Sequence, residues 1–302
     1  MRPLNSDFWL ARTGIIRHGV HTKKREDGLL VSRLPWEMHD KVVVITGGNS
    51  GIGKGFAKGI VQAGGNVVIW GRRADRNAEA AAELAEFGTR IFTQEVDVAD
   101  EARVVAAMAE AVEEMGRVDG VIANAGMMSN RGSFLNMTSE AWHELLAVNQ
   151  HGAFYAAREG ARHMKERFDA GDPGGSILFC ASLSAVTGSI GMQHYNASKG
   201  AMASLARGIA VDLGRYAIRC NTVCPGYTES DTVRDPGPDH PLGKQIRERN
   251  PIPRFGTADD FQGIGVYFMS DASRYHTGDL VKVDGGWMAN AGKNNLAAER
   301  RA

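Results

Sequence analysis

Tyr195 and Lys199 stand four residues apart at the head of a stretch of helical length and composition, residues 195–213, so their side chains share one face, a turn apart. A free phenol ionises at about pH 10, and a cation close by is one of the few local means of making its phenolate accessible near neutrality. Such a pair can give a proton to a substrate oxygen or take one back. Chance also puts such pairs on many helices, and the rest of the chain decides between the two readings.

A second constellation, Thr46-Gly47-Gly48-Asn49-Ser50-Gly51-Ile52-Gly53, directly follows a β-branched run and opens a helical pattern. Glycines at 47, 51 and 53 permit a tight turn, a close approach of backbone to phosphate, and close packing of helix on strand. The start of the helix offers free N–H groups and the positive end of its dipole to a pyrophosphate, with Asn49, Ser50 and Ile52 in the same turn. A glycine-rich turn alone is common; between the first strand and first helix of a βαβ series it reads as a dinucleotide site. The next run ends in Trp70-Gly71-Arg72-Arg73, and the guanidinium forks of Arg72 and Arg73 suit a 2'-phosphate dianion, unless both are ordinary solvated arginines.

Both constellations need a scaffold. Short apolar runs at 42–45, 67–70, 91–96, 118–123, 176–180, 217–223 and 280–283 alternate with helical stretches at 53–63, 75–87, 101–115, 139–168 and 195–213. The runs are mostly continuous in hydrophobicity, as in strands covered on both faces. The pattern predicts an α/β fold: a doubly wound, Rossmann-like parallel sheet of about seven strands with helices on both faces, forming a single domain over residues 39–292. Residues 227–253, broken by Asp235-Pro236-Gly237-Pro238 and Asn250-Pro251, are expected to form an irregular substrate lid. Residues 1–38, which mix Arg2, Arg12 and Arg17 with Phe8, Trp9 and Leu10, are expected to form an N-terminal extension or arm, with a targeting or disordered segment as the alternative, and residues 293–302 a polar tail.

The 35 basic residues balance 35 acidic ones, so nothing global points to a nucleic-acid or membrane-surface partner. No run reaches the roughly 18 apolar residues of a membrane span. Three cysteines, Cys180, Cys220 and Cys224, are too few and odd in number for a disulfide framework, which suggests a reducing, cytoplasmic setting and structural thiols. Neither the cysteines nor His143, His151, His163 and His194 show metal-ligand spacing, so no metal is expected. His194, directly before Tyr195, reads as a satisfied polar residue with no catalytic role. Met127, Met128, Leu183, Met192 and Tyr227 either line an apolar substrate pocket or belong to the core.

Over residues 39–289 the chain resembles the short-chain dehydrogenase/reductase family. The glycines are separated by three residues and then one, and they are followed in order by Ala123-Asn124-Ala125-Gly126, Val148-Asn149-Gln150, Ser182, Tyr195-Asn196-Ala197-Ser198-Lys199 and Pro225-Gly226. The resemblance implies an NAD(P)(H)-dependent oxidoreductase that interconverts a carbonyl and a secondary alcohol by hydride transfer, with a small ketone or alcohol as substrate. It assigns Tyr195 as general acid and base, and Lys199 as its cationic partner and a ligand of the nicotinamide ribose. Ser182 would polarise the substrate oxygen, its spacing of thirteen residues from Tyr195 setting it ahead of Ser184. Asn149 would hold a water linking Lys199 to solvent. Asp97 and Val98 would flank the adenine, Asn124, Ala125 and Gly126 would support the middle of the cofactor, and Pro225 and Gly226 would border the nicotinamide. Ser230, where threonine is frequent, would bind the carboxamide. Members that prefer NAD place an acidic residue where this chain has Gly71, so NADP(H) is expected over NAD(H).

Relatives also form dimers and tetramers through their long helices and last strand, so a homo-oligomer is expected. Three alternatives remain: a nucleotide sensor that kept the fold without catalysis, an NAD-dependent alcohol or sugar dehydrogenase, and a nucleotide-sugar epimerase or dehydratase. The intact Tyr195–Lys199 pair argues against the first, and the short stretch beyond Lys199 against the last. Enoyl reductases are disfavoured because they tend to space this pair further apart.

Overall fold

The computed structural model describes residues 22–24, 30–32, 34–130, 132–230 and 233–290. The chain divides into two units, Met1–Pro35 and Trp36–Ala302. In the first, Thr22–Lys24 pairs antiparallel with Leu30–Ser32. Most of the expected arm and all of the expected tail lie outside the described residues.

The second unit carries seven strands: β1 Val42–Thr46, β2 Asn66–Gly71, β3 Ile91–Glu95, β4 Gly120–Ala123, β5 Gly175–Cys180, β6 Ile218–Pro225 and β7 Leu280–Val283. Their order across the sheet is β3-β2-β1-β4-β5-β6-β7, and every pairing is parallel. The order reverses between β1 and β4, and in open α/β sheets a reversal opens a crevice at the carboxyl ends of the strands. The helices are α1 Gly51–Gln62, α2 Ala74–Leu84, α3 Glu101–Met115, α4 Ser139–Leu146, α5 Ala153–Asp169, α6 Gln193–Leu213, α7 Pro241–Arg249 and α8 Gln262–Met269. Among the described residues, no helix is long and apolar enough to cross a membrane.

Two-residue alternation divides the core. Val42, Val44, Val68, Trp70, Ile177 and Phe179 pack with Val104 of α3, Ala156 of α5 and Met202 of α6. Their neighbours Val43, Ile45, Val67, Ile69 and Leu178 pack with Phe56 and Ile60 of α1, Leu84 of α2 and Phe268 of α8. The inner strands therefore bury both faces, which explains their continuous apolar runs, while the edge strands β3 and β7 stay partly exposed.

Two elements differ from the sequence expectation. The stretch 139–168 is interrupted by a π turn, Ala147–Gly152, which separates α4 from α5. At its end, a Cβ on Gly152 would lie 2.6 Å from Val98 Cγ2, so the helix passes tight against the residue beyond β3. The stretch 227–253 contains a regular helix, α7, with Pro241 at its start and the His240 Nδ1 accepting from the Leu242 N–H at 3.2 Å. Proline breaks an element only from within; at the first turn its fixed φ favours a helix.

Candidate active site

The glycine turn links β1 to α1, and its shape leaves no room for a side chain at Gly53. A Cβ on Gly53 would run into the Gly47 carbonyl oxygen and lie 2.5 Å from Asn124 Nδ2. Ser50 occupies the N-cap of α1 without a side-chain cap, and the first turn holds no acidic residue, so the N–H groups around Gly51 and Ile52 face outward with the positive end of the helix dipole. A Cβ on Gly51 would lie 3.3 Å from that of Ser230, which brings Ser230, beyond β6, to the glycine turn. This cradle fits a bound pyrophosphate.

The turn is tied to its neighbours by side chains. Thr46 Oγ1 accepts from the Asn124 and Ala125 N–H groups at 2.9 and 2.8 Å, and Asn124 Nδ2 donates to the Thr46 carbonyl at 3.0 Å. Asn49 Nδ2 donates to Asn77 Oδ1 at 2.6 Å, while Asn77 Nδ2 donates to the Gly71 and Gln94 carbonyls at 2.9 and 3.0 Å. A Cβ on Gly71 would collide with both of these amides, so the end of β2 has no space for an acidic side chain. Arg72 and Arg73 follow it and are exposed. Asp97 is exposed, its Oδ1 accepting from the Ala99 N–H at 3.0 Å, and Val98 is buried.

Across the crevice, Ser182 lies just beyond β5 with its Oγ accepting from the Ser184 N–H at 3.1 Å. Tyr195 and Lys199 occupy the first turns of α6. The Lys199 ammonium is buried, donates to the Cys180 carbonyl at 2.9 Å and lies 5.7 Å from the centroid of the Tyr195 ring. A Cβ on Gly126 would lie 3.5 Å from Lys199 Nζ and 3.3 Å from Asn149 Oδ1, so the segment beyond β4 meets the lysine and the π turn at one point. Asn149 is fully buried. Its Oδ1 accepts from the Met127 N–H at 2.7 Å and its Nδ2 donates to the Met127 carbonyl at 2.9 Å. A π turn re-aims side chains relative to the regular helix, and such turns cluster at functional sites. Pro225 ends β6, and the Gly226 N–H donates to the Val283 carbonyl at 2.9 Å.

The thiols beside this centre are held neutral. Burial pushes Cys180 up to about 12, against a smaller opposing pull from the Lys199 ammonium. Burial likewise raises Cys224. Among the described residues, no cluster of three or more His, Cys, Asp or Glu side chains could hold a metal ion. The structure thus brings Asn149, Lys199, Tyr195 and Gly126 together on one side of the crevice, and the glycine turn, Gly71, Asn124 and Ser230 on the other. Sequence reasoning missed Asn77, whose only signal is a polar residue inside an alanine-rich helix, where it competes with the backbone. It also left the Ser129 partner of His194 unread.

A family model described as Enoyl-(Acyl carrier protein) reductase matches residues 47–288. An L-rhamnose 1-dehydrogenase (NAD(P)(+)) of Azotobacter vinelandii is 35% identical over 83% of this chain and 98% of that protein. An NADP-dependent (R)-specific alcohol dehydrogenase of Lentilactobacillus kefiri is 36% identical over 82% and 97%. The crystal structure of a gluconate 5-dehydrogenase from Burkholderia cenocepacia, in complex with NADP and tartrate, superposes with a TM-score of 0.79 at 30% identity, over 85% of this chain and 98% of that one. Matches spanning most of this chain and nearly all of each relative show that the chain belongs to the short-chain dehydrogenase/reductase family and is an NAD(P)-dependent oxidoreductase.

Proposed function

We propose that the protein interconverts a small ketone and its secondary alcohol, with NADP(H) preferred over NAD(H). The observation that carries this reading is the buried Lys199 ammonium, anchored on the Cys180 carbonyl beside the Tyr195 ring. The phenol beside that fixed cation is the group that, in this reading, exchanges a proton with the substrate oxygen. In reduction, Tyr195 gives its proton to the carbonyl oxygen; in oxidation it takes the proton from the alcohol. Ser182 donates a hydrogen bond to the same oxygen and orients it. Lys199 also binds the nicotinamide ribose, and Asn149 holds a water through which Tyr195 and Lys199 regain their proton from solvent. The dinucleotide, when bound, supplies or accepts the hydride.

The cofactor is held by Gly47, Asn49, Ser50, Gly51, Ile52 and Gly53 at its phosphates, by Asp97 and Val98 at the adenine, by Asn124, Ala125 and Gly126 at its middle, and by Pro225, Gly226 and Ser230 at the nicotinamide. The preference for NADP(H) rests on Gly71, whose surroundings exclude a carboxylate, and on the exposed guanidinium groups that follow it. Two relatives whose names or bound cofactor specify NADP are in keeping with it. Carbonyl rather than enoyl reduction is favoured by the one-turn spacing of Tyr195 and Lys199 and by relatives named for alcohol and sugar substrates. A homo-oligomer is supported by the groove lined by Gln150 and His151 of the π turn, Phe154 of α5, and Met202 and Leu205 of α6. The buried free cysteines are in keeping with a reducing, cytoplasmic compartment.

The test is an absorbance screen of ketones, secondary alcohols and sugars run in parallel with NADPH, NADH and their oxidised forms. The reading expects turnover of a carbonyl or secondary alcohol, faster with NADP(H). Turnover of enoyl substrates alone would contradict it.

A further inference from the structure

We propose that His194 is a positioning residue, acting through Ser129, that holds the first turn of α6 so that the Tyr195 phenol stays aimed at the substrate oxygen. The inference rests on the reading of Tyr195 as the acid and base. Helix starts are weakly held unless capped, because their first N–H groups have no partner within the helix. The N-cap residue of α6 is Met192, whose thioether makes no cap, and the first turn carries no acidic residue. Tyr195 therefore sits on a turn that needs support from elsewhere in the fold.

That support comes from the segment beyond β4. His194 is 0% exposed, and its Nε2 lies 3.0 Å from Ser129 Oγ. A buried imidazole with a polar partner resists displacement, since breaking the contact strands both groups. Two further contacts join the same segments independently. Asn130 Nδ2 donates to the Ile190 carbonyl at 3.4 Å. Gly191 has φ +74°, and a Cβ there would run into Asn130 Oδ1 and lie 2.7 Å from the Gly132 carbonyl oxygen. The segment carrying Ser129 is itself anchored through Met127 to Asn149. His194 thus closes a loop of contacts: Asn149 holds Met127, the chain runs on to Ser129, and Ser129 holds the turn that bears Tyr195.

The test uses the full chain, NADP(H) and the ketone or alcohol best turned over in the screen above, with the variants His194→Leu, Ser129→Ala, the double variant, His194→Gln and Tyr195→Phe. His194→Leu and Ser129→Ala should each lower kcat by about ten- to a hundredfold, as small misplacements of a reacting group do. Cofactor Kd and substrate KM should move by less than about twofold, because only the alignment of the proton donor is lost. The double variant should be no worse than the more damaged single variant, which marks the two residues as one unit. His194→Gln, whose amide reaches the place of Nε2, should recover most of kcat. Ser129→Ala removes a single oxygen, so it keeps the test decisive if His194→Leu does not fold. Unchanged kcat in folded variants, additive losses, or an equal loss of cofactor affinity would each overturn the inference. Turnover retained by Tyr195→Phe would sink the reaction reading and this inference with it. An inactive Tyr195→Phe beside a fully active Ser129→Ala would sink this inference alone.

Discussion

Tyr195, Lys199 and Cys180 divide one task among three kinds of group. The carbonyl of Cys180 fixes the ammonium of Lys199, and the ammonium lies 5.7 Å from the centroid of the Tyr195 ring. The partner of the ammonium there is a backbone carbonyl. On the cofactor side the same economy holds at Gly71, where two amides, Asn49 and Asn77, fill the space that an acidic side chain would take. Arg72 is then the charged group next to the proposed 2'-phosphate. Arg72→Ala should weaken NADPH binding by about tenfold or more while leaving NADH nearly unchanged, as loss of a charge-assisted contact to phosphate requires. Fluorescence titration with the two dinucleotides checks it, and equal losses for both would reverse the cofactor preference.

At the scale of elements, charged clusters hold the start of β4 and the segment between α7 and α8. Asp119, before β4, is buried and accepts from the Val42 N–H at 2.9 Å, with Arg117 at 2.7 Å, Arg167 at 3.1 Å and Lys41 at 3.6 Å. Asp119→Ala leaves the buried Arg167 and the Val42 N–H short of a partner, so it should cost about 3–5 kcal/mol in denaturant unfolding; a change under about 1 kcal/mol would mean that the network is surface-like. Beyond α7, Arg254 binds Asp260 at 2.7 Å, and Asp260 also accepts from the Thr257 N–H. The hydrogen bond from Arg254 is the main cause that lowers Asp260 to about 2. A lowered carboxyl stabilises the fold above its ordinary range and loses that contribution as pH falls from about 4 to about 2. The advantage of the wild type over Asp260→Asn should therefore be present at neutral pH and shrink across that window, and a gap independent of pH would contradict the assignment. Much of this scaffold was legible in the sequence: the seven runs became the seven strands, and in the inner ones burial on both faces imposes continuous hydrophobicity. The π turn at Ala147–Gly152 was not, since it depends on Val98 and Met127, which lie far from it along the chain. Nor were α7, hidden behind prolines that start rather than break it, and the ties made by Asn77 and Ser129. Those hydrogen bonds span 28 and 65 residues, and only the fold brings their partners together. The motif residues were legible because their types and order carry the chemistry, whereas their supporting partners are chosen by contact.

For the whole molecule, the strand order places every proposed site residue near one edge. Gly71 ends its strand, and Gly47, Asp97, Asn124, Ser182 and Gly226 each lie one or two residues past the end of theirs. The opposite requirement, burial of apolar helix surface, falls on α5 and α6, where Phe154 and Val211 stay exposed in the single chain. Sedimentation should find a dimer or tetramer, and Phe154→Arg should shift it toward single chains without loss of fold; a wild-type protein that sediments as one chain would contradict the oligomer. The central claim is that Tyr195, beside the anchored Lys199, exchanges the substrate proton. Its most direct test is the turnover number of Tyr195→Phe measured beside its NADPH affinity. The account predicts turnover reduced by at least about a thousandfold, the scale of a lost acid and base, with affinity within about twofold of the wild type. Turnover close to the wild type, with the dinucleotide still bound, would contradict it.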